Sequence, residues 1–335
     1  MHFVLVETHP VALLVKARRL AGSLAAMAIF CISSAFAQTY PSKPITVVWP
    51  SVAGSSTDTI LRALGAEVGK RLGQTVIIEN RAGANGTLGL SAMLKGKPDG
   101  YVLNIAPHAV LIQLPLVDPN FRIEVEKDFV PIVFLLEFPL VIAANPGVAF
   151  RDVKGLIGYA KANPGKLNFA VQQGTVSHYF AELFRQTAGI ELTLVPYKSS
   201  AASLPDLVGG QIDLAISNVT VKPMVDAGKL IAIAVSSKER WAPFPNLPTL
   251  MESGLPMLDT SWYILVSGAG TPRDITERLR LAFSESLKLP TIEKMFADAG
   301  LIGHPNMSPQ EITERLRAER RIWEPVIRKA GIKLQ

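Results

Sequence analysis

Cysteine is almost absent from this chain: one residue in 335, Cys31. A single thiol can neither close an internal disulfide nor build a thiolate metal site. Histidine is scarce too. Only His108, His178 and His304 lie beyond residue 37, far apart and without H-E-x-x-H spacing, so no metal is expected. The glycine-rich run Gly83-Ala84-Asn85-Gly86-Thr87-Leu88-Gly89 has G-x-x-G-x-x-G spacing where a dinucleotide fold needs G-x-G-x-x-G, and no Gly-Lys-Ser/Thr occurs. No organic cofactor is expected either. Aromatic residues make up 7%, and the densest basic group, Arg315, Arg317, Arg320 and Arg321, surrounds acidic residues on one amphipathic stretch. That is a solvated helix face, and the net charge of +6 implies no nucleic-acid partner. Uncharged runs of membrane length are missing after the first segment: residues 130–144 are broken by Glu137 and Pro139, which excludes a multispan membrane protein.

The first 37 residues read as a cleavable export leader. Lys16, Arg18 and Arg19 form a positive region, Leu20 to Ile32 an apolar one, and Ala35-Phe36-Ala37 a cleavage site before Gln38. The apolar part is shorter than the ~20 residues of a spanning helix. Three basic residues, Glu7 and Cys31 leave with it, so the mature chain carries 31 Lys and Arg against 27 Asp and Glu. It must hold together by core burial alone, which its size permits.

Beyond the leader, apolar strand-like runs alternate with helix-like segments, the pattern of an α/β fold with largely parallel sheet. Ile45 to Trp49 predicts a strand, Pro50 to Ser56 a turn, and a helix follows from Thr57, with Ile60, Leu61, Leu64, Val68 and Leu72 on one side and Gly73 as its stop. Asp152 is a cap candidate, as are Thr271 before Pro272 and Ser308 in the capping box Ser308-Pro309-Gln310-Glu311. A second β/α series runs from 143 to the proline-rich 241–256. The order predicts two lobes: 38–142 with 259–335 as the first, 143–258 as the second, with crossings near 137–146 and 256–264. Ligands of such folds bind at the carboxyl ends of strands, in the cleft between lobes.

Two polar turns could work there. Pro50 to Asp58 places Ala53, Gly54, Ser55 and Ser56 before a helix N-terminus, and Gln173 to Ser177 does the same in the second half. Free backbone N–H groups and the positive helix end suit a carboxylate. Ser177 beside His178 is the one nucleophile-like pair. Adjacent helical residues point about 100° apart, and the G-x-S-x-G elbow is missing, so Thr175 or Ser177 reads more simply as a helix cap.

Several stretches, in order, carry a resemblance: Tyr40-Pro41-Ser42-Lys43-Pro44-Ile45, Leu72-Gly73-Gln74, Val76 to Arg81, Pro98-Asp99-Gly100-Tyr101, Val195-Pro196-Tyr197-Lys198, Gly209-Gly210-Gln211-Ile212-Asp213 and Leu247-Pro248-Thr249-Leu250. With them the mature chain resembles the periplasmic substrate-binding proteins of tripartite tricarboxylate transporters, the Bug-type receptors. The resemblance implies a periplasmic, two-lobed (type II, Venus-flytrap) binding protein that closes on a small carboxylate and presents it to the membrane subunits of a transporter. It implies no catalysis, and a monomer is expected. Carried over by position, ligand contacts fall on Ala53, Gly54, Ser55 and Asp58, on Pro107 and His108, on Gly174, Thr175, Ser177 and His178, and on Tyr197 and Asn218. Three positions depart from the family pattern: Ser51 follows Pro50 where an aromatic is usual, Ser55 replaces the second glycine of a pair, and Ser217 stands where an acid is common. The other readings are a secreted hydrolase using Ser177 and His178, and a receptor feeding a sensor kinase.

Overall fold

The computed structural model describes residues 40–332 apart from 84, 85, 119, 122, 125, 126 and 258. The expected leader and cleavage site lie outside the described residues, as does the centre of the glycine-rich run.

Among the described residues, eleven strands form two sheets. Strands β1 (Ile45–Trp49), β2 (Val76–Asn80), β3 (Val102–Pro107), β4 (Phe129–Pro139), β10 (Thr260–Gly268) and β11 (Ile302–His304) make a six-stranded sheet in the order β11-β4-β10-β3-β1-β2. Strands β5 (Val141–Ala144), β6 (Asn168–Val171), β7 (Thr193–Pro196), β8 (Leu214–Ser217) and β9 (Ile231–Val235) make a five-stranded one in the order β7-β6-β8-β5-β9. β1 is parallel to β2 and β3, and β6 is parallel to β7 and β8. The strands that carry the chain out and back, β4, β5 and β10, pair antiparallel. Runs such as Val47-Val48 and Val133 to Leu136 are buried outright, as expected of strands covered on both faces.

Helices α1 (Ser56–Leu72), α2 (Thr87–Lys95), α3 (Leu114–Val117), α4 (Val153–Ala162), α5 (Val176–Ala188), α6 (Ser200–Gly209), α7 (Lys222–Asp226), α8 (Arg273–Leu287), α9 (Pro290–Asp298) and α10 (Pro309–Ala330) cover these sheets. Local chemistry sets several of their ends. Asp152 accepts from Gly155 N–H, Ser308 and Glu311 form the capping box, and Gly73 and Gly189 close α1 and α5 in the left-handed region. Thr271 does not cap α8. Its hydroxyl donates to Gly268 O at 2.7 Å, Pro272 stays extended, and the helix begins one residue later than predicted. The apolar stripe of α10, Ile312, Leu316, Trp323, Val326 and Ile327, is buried as its spacing requires. It packs on β4 and also on α5, where Gln186 donates to Val326 O at 3.0 Å.

The sheets are joined at one buried serine. Between β4 and β5 only Leu140 intervenes, and its N–H donates to Ser236 Oγ at 3.0 Å while its carbonyl accepts from Ser236 N–H at 2.8 Å. The Ser236 hydroxyl donates to the carbonyl of Asp259, whose N–H returns to Ser236 O at 3.2 Å. Outgoing and returning chain are thus stitched together where they change sheets. Burial pushes the Asp259 carboxyl up to about 7, against the opposing pull of His108 and Arg315. An acid raised in the fold keeps its full contribution to stability below its ordinary value and loses it as pH rises through about 7. Asp259→Asn is therefore expected to flatten the decline in melting temperature between pH 5 and 8; an unchanged slope would remove Asp259 as its source.

Candidate functional site between the two sheets

The first turn is built by its own side chains. Ser55 caps α1 by accepting from Asp58 N–H at 3.1 Å, and Gly54, at φ +84°, bends the chain so that its N–H donates to Asp58 Oδ2 at 3.0 Å. Asp58 is 3% exposed and also accepts from Asn80 Nδ2 at 2.9 Å and Arg62 Nε at 3.0 Å. Burial alone would raise its pKa; the Gly54, Asn80 and Arg62 donors outweigh burial and lower it. Its oxygens are occupied, which makes Asp58 the strut of this turn. Ser56 and Thr57 open the 17-residue helix, where first-turn N–H groups have no intrahelical acceptor.

A cavity of about 290 Å³ opens beside this turn. The first sheet contributes Ser51, Ser55, Ser56 and Thr57, and a wall of Trp49, Leu136, Phe138 and Tyr263. The second contributes Asn218, Val219 and Thr220 from the turn after β8. Asn218 Oδ1 accepts from Thr220 N–H at 3.0 Å and from its hydroxyl at 2.7 Å, which leaves the amide nitrogen as a donor. Trp241 and residues 299–301 complete the lining, and Trp241 Nε1 donates to Gly300 O at 3.1 Å.

The predicted residues divide accordingly. Ser55 and Asn218 meet in the cavity; Ala53, Gly54 and Asp58 belong to the turn that shapes it. Gly174, Thr175, Ser177 and His178 are not among its lining residues. Their bonds are internal: the Thr175 hydroxyl donates to Gln172 O at 2.8 Å, Ser177 Oγ accepts from Gln172 N–H at 2.8 Å, and His178 Nδ1 accepts from Gly174 N–H at 3.4 Å. Thr175 holds the cap position of α5 without capping it, because its hydroxyl is turned back to Gln172. These bonds give no support to a Ser177–His178 dyad. Burial, with Arg185, lowers the His178 pKa, which suits a ring nitrogen acting as acceptor. Tyr197 donates to Asp206 Oδ2 at 2.6 Å and packs on the second sheet's core.

Pro107 ends β3, and His108 beyond it is buried in a charged network away from the cavity lining. His108 Nε2 lies 2.8 Å from Glu319 Oε2, and its ring lies 4.7 Å from that of Trp262, which donates to Glu319 at 3.0 Å. Arg315 bridges Glu319 at 2.8 Å and Glu137 at 2.9 Å, and His304 Nε2 lies 2.9 Å from Glu137. Burial raises the Glu137 pKa, but His304 and Arg315 pull it down to about 2. Sequence reasoning missed Trp49, Phe138, Tyr263, Trp241 and Gly300 as cavity residues. The one signal available was rarity, since the chain has four tryptophans and two of them line this cavity.

Residues 60–332 match the family model of the tripartite tricarboxylate transporter family receptor. The chain belongs to this receptor family. The receptor is 33% identical over 309 residues to protein BugT of Bordetella pertussis, covering 89% of this chain and 93% of that one. Among solved structures it is similar to Rpa4515 of R. palustris with adipate, at 31% identity and TM-score 0.75, covering 88% of this chain and 99% of that one. It is also similar to MatC of Rhodopseudomonas palustris with bound malate, at 29% identity and TM-score 0.72, covering 86% and 100%. The receptor has the two-lobed α/β fold of these periplasmic binding proteins.

Proposed function

We propose that the receptor works in the periplasm, after removal of residues 1–37, and captures a small carboxylate between two lobes for delivery to the membrane subunits of a tripartite transporter. The lobes are 38–142 with 259–335, and 143–258, and the protein acts as a monomer without catalysis. One observation carries the reading: the cavity is lined jointly by a helix N-terminus of the first sheet and by the Asn218 turn of the second, so a bound acid bridges the two. The similar proteins solved with adipate and malate support the ligand class. The cavity sits at the small end of the roughly 300–1,000 Å³ typical of small-molecule sites, which favours a compact acid over a nucleotide.

Ser55, with the helix start at Ser56 and Thr57, and Asn218 are the contacts we assign to the carboxylate, while Ala53, Gly54 and Asp58 hold the turn that presents them. The Gly174–His178 turn is assigned as the second-lobe face that closes over it, with Pro107, His108 and Tyr197 supporting the walls. A thermal-shift screen of the purified protein against a carboxylate library tests the reading, because a ligand that binds only the folded state raises the melting temperature. No shift with any acid overturns it. Thr175→Val removes a hydroxyl that holds the second turn, and is expected to weaken binding by roughly three- to tenfold, about one hydrogen bond. Unchanged affinity by titration calorimetry removes that turn from the site.

A further inference from the structure

The cavity is polar at one end and aromatic along its wall. Trp49 and Tyr263 have ring centroids 4.8 Å apart, and Tyr263 stacks on Phe138 at 6.3 Å with 29° between the planes. Three strands, β1, β10 and β4, therefore present one strip of rings. Trp49 is 3% exposed and lines the cavity, and its indole N–H has no hydrogen-bond partner among the described residues. A buried donor left unpaired is costly, so this N–H calls for an acceptor on whatever fills the space. Tyr263 adds a phenol hydroxyl to the same wall, and burial pushes its pKa up to about 12.

None of the described lining residues is charged. The start of α1 can balance one carboxylate through its free N–H groups and dipole. A second or third carboxylate would be desolvated here with no cation to meet it, which is strongly unfavourable. A flat apolar body, by contrast, gains from ring contacts worth about 0.5–1.5 kcal/mol per aromatic pair beyond area burial.

Resting on the carboxylate reading above, we propose that this cavity takes an aromatic monocarboxylate of the benzoate or phenylacetate type. Its ring lies against Trp49, Tyr263 and Phe138, and its carboxylate lies at Ser55, Ser56 and Thr57, where one oxygen accepts from the Trp49 indole N–H. Trp49 and Tyr263 thereby set specificity against di- and tricarboxylates.

Titration calorimetry of the purified receptor with benzoate, phenylacetate, adipate, malate and citrate decides the matter. At least one aromatic acid is expected to bind ten times or more tighter than the other three, with a change in tryptophan fluorescence on binding. Trp49→Leu is expected to abolish that preference. Trp49→Phe, which keeps a ring and removes the N–H, is expected to weaken the aromatic acid severalfold while unfolding as cooperatively as the parent. If adipate, malate or citrate binds as tightly as the aromatic acids, or if Trp49→Leu leaves the preference intact, the aromatic assignment falls and the carboxylate receptor stands. If none of the five binds but another acid in the library does, the aromatic assignment alone falls. If no acid binds at all, both fall.

Discussion

Arg315→Ala is expected to destabilise the receptor by about 3 kcal/mol, at the lower end of the 3–5 kcal/mol for breaking a buried ion pair, because its partners keep some exposure. The guanidinium stands between two carboxylates, 2.9 Å from Glu137 and 2.8 Å from Glu319, whose side chains are 12% and 18% exposed. It also donates to the Thr260 hydroxyl at 3.2 Å and lies over the Phe134 ring at 4.5 Å. Alanine leaves both acids in place with His304 and His108 beside them, and removes a packed planar group from the junction of β4, β10 and α10. Arg315→Lys should recover part of the loss, since an ammonium keeps the charge but cannot reproduce the planar fork.

Acid titration gives a second readout. The Glu137 pKa is lowered in the fold, so its contribution is fully present above the unfolded carboxylate value and is lost as pH falls through about 2. In Arg315→Ala that carboxylate loses its guanidinium partner, and the acid-unfolding midpoint should move upward. Urea denaturation at pH 7 followed by acid titration checks both. A stability within about 1 kcal/mol of the parent, the ceiling for an exposed pair, would mean that the two carboxylates find water instead and that the network contributes little.

What the sequence discloses here depends on range. The capping box at Ser308, the Asp152 cap and the stop at Gly73 are local interactions, decided within four or five residues, and the structure holds all of them. Thr175 and Thr271 depart from the cap expectation because a hydroxyl near a helix start can bond backward to a carbonyl as easily as forward to an amide. The short edge strand β11 and the π-helical turn Ala109–Gln113 carry no periodicity long enough to detect. At the site, Ser55 is legible as a polar turn residue before a helix, whereas Asn218 enters only through the family resemblance. The aromatic wall is not legible, because Trp49, Phe138 and Tyr263 read individually as strand residues and meet only through the order β4-β10-β3-β1. His108 enters as a cleft residue only through the family resemblance; its partner Glu319 comes from α10, and no local pattern links the two.

Gly300→Ala is expected to cost about 2–5 kcal/mol, combining about 1–2 for a left-handed residue with about 1–3 for overpacking. Gly300 has φ +66°, and a Cβ there would stand 2.6 Å from Trp241 Cζ2 and 3.1 Å from Val219 Cβ. Neither neighbour is the free end of a flexible chain. Trp241 is 4% exposed and tied to Gly300 by its own indole N–H, and Val219 sits in the turn that Asn218 begins. The added methyl must therefore push the second-sheet side of the cavity away from residues 299–301. Ligand affinity should fall together with stability, by about tenfold or more if the indole bond is lost. Gly254→Ala separates the two causes, for Gly254 has φ +84° with nothing within 4 Å of where a Cβ would stand, and suffers the backbone strain alone. Chemical denaturation and calorimetry on the two variants should give a clearly larger stability loss for Gly300→Ala and a drop in affinity for it alone. Equal losses and equal affinities would mean that the contact between residues 299–301 and Trp241 does not hold the cavity in shape.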